Sequence, residues 1–279
     1  SSDLTLPVIV WIHGGAYRIG SGSLGVYDGS RMAKKGIVFV TFNYRLGPLG
    51  FLDDRTPSKS SGDQIYNLGL ADQVAVLKWV QKNIAAFGGD AKNVTIMGQS
   101  SGATSVLAHF ASPLSNGLFS KGIALSPYWY PSDIKNDLRV SANLFKAIGS
   151  PLTAAKADTF ADIDTPPAPI FGDRMLPQSI EDTFMQGKEA GLPLLISTTS
   201  DDGSVFKEFA PPGMDPFANP GPFEVAWPLY WGMSKPAFAH ALFRDMIFSE
   251  SAEQIVLQHS KVAPAWQGYF DYVAEHRRA

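Results

Sequence analysis

The chain has 279 residues, 45% of them hydrophobic, which is enough for one large domain with a sizeable core. Its 23 Lys and Arg against 26 Asp and Glu leave a net charge of −3, so no broad attraction toward nucleic acid or anionic membrane is expected. Zero cysteines exclude a disulfide framework, a thiolate metal site and a cysteine nucleophile, and they lean toward the cytoplasm.

Residues 6–12 (LPVIVWI) form a short β-branched apolar run that stops at Gly14-Gly15, and residues 36–42 repeat the pattern. Near-continuous apolar strands of this kind suit a sheet covered on both faces. The spacing of Leu70, Val74, Leu77 and Ile84 predicts a helix within residues 68–87, with Gly88-Gly89 as its stop. A strand at 94–97 follows, and then an amphipathic helix with Ala103, Val106, Leu107 and Phe110 on one face and Pro113 beyond its end. Further buried strands are expected at 122–125, 194–198 and 267–273. Strands alternating with helices give an α/β fold with a mostly parallel central sheet and helices on both faces. Residues 210–223 carry five prolines and two glycines, so they read as a surface loop over the sheet edge. Apolar elements on both sides of that loop need a shared core, so residues 1–279 are expected to form a single domain. No run approaches the roughly 20 apolar residues that span a bilayer.

The sharpest chemical signal is Gly98-Gln99-Ser100-Ser101-Gly102, a GxSxG pattern lying between a predicted strand and a predicted helix. A serine at such a turn has its hydroxyl pushed off the strand end, and the flanking glycines are needed where a Cβ would meet backbone. The helix that starts at Ser101 points its first amides toward the same spot and favours developing negative charge. Ser100 is therefore the expected nucleophile; the bland alternative is an ordinary strand-to-helix turn. Ser101 is the poorer candidate because Gln99 and Ala103 flank it.

His13-Gly14-Gly15-Ala16-Tyr17 ends the first strand. Acyl transfer passes through an oxyanion that needs fixed backbone donors, and small residues let backbone approach the substrate. Gly14, Gly15 and Ala16 fit that role. A tight turn and a phosphate loop are the alternatives, since Gly20-Ser21-Gly22-Ser23 follows, but no GxxxxGK[ST] run is present. His13 reads as a structural hydrogen bonder.

HGGAY at 13–17, NYRLGPLGF at 43–51, WVQKNI at 79–84, FGGD at 87–90 and GQSSG at 98–102 together resemble the type-B carboxylesterases, the cholinesterase-like branch of the α/β-hydrolases. The likeness is dense from Val8 to about Ser112 and thin beyond. It implies the α/β-hydrolase fold, an ester hydrolase acting on small-molecule esters without a cofactor or metal, Ser100 as nucleophile, and the amides of Gly15, Ala16 and Ser101 on the oxyanion with Gly14 beside them. It also implies an acid in the run TSDDGSVF at 199–206, where Asp202 stands at the position that usually holds Glu; Asp201 is its understudy. Either carboxylate can orient an imidazole. Without the resemblance, Asp201-Asp202-Gly203 would read as a solvated turn.

The histidine such a serine needs is not assigned by the sequence. The family's HG-type motif is absent. His276 lies on the topologically correct side of the last predicted strand, but in a charged setting that reads as surface. His109 stands nine residues into the helix after Ser100, over about 10 Å away by helical rise. His240 and His259 fall in predicted helices and read as structural. The chain also reaches its HGG turn at residue 13, where the family carries a longer N-terminal portion, so it reads as the central piece of a longer esterase. The alternative reading is a catalytically silent binding protein of the same fold.

Smaller signals carry less. Asn93-Val94-Thr95 matches a glycosylation sequon but leads into a predicted buried strand. The aromatic clusters at 128–130 and 227–231 would line a pocket or fill the core. Asp53-Asp54 and the acidic residues at 162–164 lack companion ligands at metal-binding spacing and read as solvated loops.

Overall fold

The apolar runs assemble into one sheet in the computed structural model, which describes residues 5–51, 65–128, 168–205, 207, 210, 213–215, 217–218 and 221–271. The strands are β1 (Leu6–Ile12), β2 (Val38–Thr41), β3 (Gly89–Gln99), β4 (Lys121–Leu125), β5 (Leu194–Thr199) and β6 (Ala265–Phe270). Their order is β2-β1-β3-β4-β5-β6, and every neighbouring pair is parallel. The described α-helices are α1 (Ser30–Ala33), α2 (Leu68–Asn83), α3 (Ser101–Ala111), α4 (Ile180–Met185), α5 (Lys235–Arg244) and α6 (Glu250–His259). A π-helical turn, Asp245–Ser249, joins α5 to α6. This is the α/β-hydrolase architecture that the sequence leads one to expect, although 272–273, the end of the last predicted strand, lie outside the described residues.

Register decides which side chains share a face. Val10 stands beside Ile96, Ile96 beside Gly122, and Gly122 beside Leu194. That face, with Val8, Ile12, Val94 and Ile196, is wholly buried. Glycine sets how closely helices approach it: a Cβ on Gly122 would lie 2.4 Å from the Phe110 ring of α3. On the other face Trp11 packs against Tyr27 and Phe39, and Gly29, just ahead of α1, lies against Phe39. Ile9, Met97, Ile123 and Leu195 on this side are only partly buried. The strands thus alternate in burial more than their near-continuous apolar runs suggest.

Helix α2 buries Leu70, Val74, Leu77 and, in the 3-10 turn after it, Ile84, the stripe read from spacing. Gly88 closes that turn at φ +78°, where an L side chain would be strained. Helix α3 departs from expectation: all of its residues are buried, not one face. Its polar side chains Ser105 and His109 find partners inside the protein, so the helix can be enclosed all round. No helix among the described residues is long and apolar enough to cross a membrane.

Because β1 lies between β2 and β3, the connections on its two sides diverge. The crevice at the carboxyl ends of β1 and β3 is where open α/β sheets place their ligands. Both sequence motifs end there.

Candidate active site

Ser100 occupies the single residue between β3 and α3, at φ +57° and ψ −126°. This conformation costs of order 1–3 kcal/mol for a residue with a side chain, and it persists because its surroundings leave no alternative. The Ser100 amide donates to the Leu125 carbonyl at the end of β4 (2.9 Å), and its carbonyl accepts from the Thr104 amide (3.0 Å). A Cβ on Gly98 would lie 2.4 Å from the Gly102 carbonyl, and one on Gly102 would lie 2.1 Å from the Ile12 carbonyl. These two glycines let strand, elbow and helix fold back on one another against β1. The Ser100 side chain is half-buried, and among the described residues nothing hydrogen bonds to its Oγ.

The turn after β1 sits directly beside it. A Cβ on Gly14 would lie 2.6 Å from the Gln99 carbonyl and 3.1 Å from Ser100 Cβ, so only glycine lets the two turns touch. Gly15, Ala16 and Tyr17 all have positive φ, at +116°, +55° and +57°. The amides of Gly15 and Ala16, like that of Ser101 at the start of α3, make no hydrogen bond among the described residues. The turn is held from behind: the Tyr17 amide donates to Ser101 Oγ (3.3 Å) and the Gly47 amide to the Tyr17 carbonyl (2.7 Å).

His13 fixes the start of the turn. Its ring stacks on Tyr44 at 4.5 Å and its Nδ1 lies 2.9 Å from the Gly14 carbonyl. A carbonyl only accepts, so Nδ1 carries the proton and the buried Nε2 has none to give. Burial pushes the His13 pKa down, consistent with a neutral ring. The Tyr44 hydroxyl donates to the His13 carbonyl (2.8 Å), and burial pushes that phenol up, so it stays protonated. His13 is thus structural, as expected.

Asp202 begins a 3-10 turn after β5. One of its oxygens accepts from the Thr199 amide (2.8 Å) and the other from the Thr199 hydroxyl (2.9 Å). Asp201 points to a different neighbour, with Oδ1 3.2 Å from His240 Nε2, out of line for a hydrogen bond. Neither carboxylate bonds to Ser100. Each described histidine is engaged elsewhere: His109 with Gln73 and Ser115, and His259 with Glu189 and the Leu192 carbonyl. His276, Asp53, Asp54, the acidic residues at 162–164, Trp129 and Tyr130 lie outside the described residues. Trp227, half-buried, stacks on Phe238 of α5 at 6.0 Å, whereas Trp231 is 93% exposed and does not fill the core. The structure brings Ser100, Ser101 and Gly14 to Ala16 together, and among the described residues the Asp202 carboxylate hydrogen bonds to Thr199 and to none of them.

Sequence reasoning named Tyr17 only as the end of the 13–17 motif and overlooked Ser105 and Gln73, which back this turn through the Tyr17 hydroxyl. Gln73 left one trace: a polar residue on the stripe of α2 that otherwise carries Leu70, Val74 and Leu77.

Comparison with known proteins supplies the wider setting. The sequence model of the Carboxylesterase family matches residues 1–218. The chain is 34% identical to para-nitrobenzyl esterase of Bacillus subtilis over 298 residues, which cover 96% of this chain and 60% of that protein. It is 36% identical to fumonisin B1 esterase of Sphingopyxis macrogoltabida, across 74% of this chain and 41% of that one. A solved structure of a thermophilic PNB esterase superposes with a TM-score of 0.82 at 33% identity, covering 99% of this chain and 62% of that one. The chain therefore spans three fifths or less of the length of these curated relatives. Their names give no support to the silent-binder alternative.

Proposed function

Since this chain belongs to the carboxylesterase family, we propose that it acts as a serine esterase on uncharged esters of short to medium carboxylic acids, through an acyl-enzyme. The observation that carries the reading is Ser100: a hydroxyl on a strained backbone, free of partners among the described residues, beside a turn whose Gly15 and Ala16 amides also make no hydrogen bond among those residues.

In this mechanism Ser100 Oγ attacks the ester carbonyl carbon and its proton passes to a base. The carbonyl oxygen becomes an alkoxide held by the amides of Gly15, Ala16 and Ser101, with Gly14 keeping the turn against the nucleophile. Fixed donors of this kind are worth roughly 3 kcal/mol each in the transition state. Collapse of the tetrahedral species expels the alcohol, which takes the proton back, and water then releases the acid by the same route. Asp202 orients the base, a histidine in the family this chain resembles, and none of the described histidines contacts Ser100. Thr199 leaves each Asp202 oxygen a lone pair for that contact.

The test is pre-steady-state hydrolysis of p-nitrophenyl acetate by the gene-encoded protein. One equivalent of p-nitrophenol per chain should appear in a burst, and Ser100→Ala should abolish it. A burst that survives in Ser100→Ala rules the reading out.

A further inference from the structure

The oxyanion turn hangs on a side chain that reaches far behind it. Tyr17 is fully buried, its ring packs on Phe51 at 4.5 Å, and its hydroxyl lies 3.2 Å from Ser105 Oγ. From there a buried polar chain continues. Gln73 Nε2 of α2 donates to Ser105 Oγ (3.1 Å), Gln73 Oε1 lies 2.8 Å from His109 Nε2, and His109 Nδ1 lies 2.8 Å from Ser115 Oγ. Ser101, Ser105 and His109 are spaced by four along α3, so they form one polar stripe on a helix that is buried on every side.

The donors and acceptors fit one arrangement. With Gln73 donating through its amide nitrogen, its oxygen must accept, so His109 donates from Nε2 and accepts at Nδ1 from Ser115. That assignment needs a neutral ring, and burial lowers the His109 pKa to about 4. A fully satisfied chain of this type fixes orientation more than it adds stability, because apolar residues of the same volume would serve a core equally well. Its end is the hydroxyl of a residue at φ +57°, adjacent to Ala16 at +55°.

We infer that Gln73, Ser105 and His109 are positioning residues for the oxyanion turn, acting through the Tyr17 hydroxyl to hold the Ala16 amide on the line of the developing alkoxide. They touch neither Ser100 nor its substrate. The inference rests on the esterase reading above and adds its consequence for turnover: the chain governs kcat and leaves KM nearly alone, since the alkoxide exists only in the transition state.

The experiment titrates active sites of the gene-encoded protein with a p-nitrophenyl alkylphosphonate and measures kcat per titrated site. Tyr17→Phe and Ser105→Ala, which each remove one oxygen, should lower kcat per site about tenfold with KM within about twofold, and the double variant should be no slower than the slower single. His109→Gln, which keeps a donor near the Nε2 position, should retain more per-site activity than His109→Leu. If the variants lose titratable sites while kcat per remaining site is unchanged, or if His109→Gln and His109→Leu behave alike, the chain is merely structural and the inference is overturned. If the unmodified protein takes up no phosphonate, the esterase reading fails and this inference falls with it.

Discussion

Gly14 shows how much backbone geometry a single side-chain-free position controls beside Ser100. Gly14→Ala puts a methyl group 2.6 Å from the Gln99 carbonyl, which cannot yield without moving Ser100, so it should cost about 1–3 kcal/mol and, on the proposed reading, most of the activity. Gly88→Ala is the contrasting case: nothing lies within 4 Å of the added methyl, and only the positive φ opposes it. It should cost about 1 kcal/mol and leave kcat unchanged, and urea melts with parallel ester assays on both variants check the contrast. The two neighbouring carboxylates also separate at this scale. Asp202→Asn should lower kcat at least about 100-fold, whereas Asp201→Asn should stay within about threefold. The reverse order of losses would hand the acid's role to Asp201. Ser100, Gly98, Gly102 and Gly14 were legible because a GxSxG or HGG pattern records backbone needs within a few residues. Tyr17's partner Ser105 is 88 residues away and Gln73 stands 32 from Ser105, so their pairing is tertiary and no local pattern shows it.

Helix α3 illustrates the same limit for an element. Its apolar residues predicted one buried face, but its Ser, Thr and His side chains are short or satisfied enough to be enclosed as well. That enclosure has a pH consequence. His109 is neutral in the folded protein with a pKa near 4, below its unfolded value of about 6.5, so the unfolded chain binds the extra proton first. The stability this contributes is fully present above about pH 6.5 and is lost as pH falls toward 4. Chemical denaturation across that window should show a decline, with His13 adding to it in the same direction, and His109→Gln should flatten part of the slope. An unchanged slope would show that His109 is not the group responsible. Helix α6 carries a second buried polar link: His259 Nδ1 lies 2.8 Å from Glu189 Oε1, and His259 Nε2 lies 2.8 Å from the Leu192 carbonyl. Removing one partner strands the other in the core, so Glu189→Ala should destabilise by about 3 kcal/mol, and replacing both by Leu should recover much of it. Thermal melts of the single and double variants measure this.

For the whole molecule, β1, β4 and β5 were legible because a strand buried in a parallel sheet is short and apolar, whereas β6, expected as a buried strand over 267–273, begins at Ala265 and is an edge strand with Trp266, Tyr269 and Phe270 exposed. Leu6–Ile12 was read to the residue, while β3 starts earlier than its apolar run because Gly89 pairs with Leu6. The sheet order was not legible. It depends on which crossovers leave β1 on each side, and it is this order that carries the 13–17 turn and the Ser100 elbow to one crevice. The family resemblance supplied what register could not, and the matching relatives share the fold along nearly the entire chain. The central claim remains the accessible nucleophile at that crevice. Peptide mapping by mass spectrometry after treating the gene-encoded protein with a p-nitrophenyl phosphonate tests it most directly. One adduct per chain on Ser100, absent from Ser100→Ala, is the predicted result; an unlabelled Ser100, or an adduct on another residue, would contradict it.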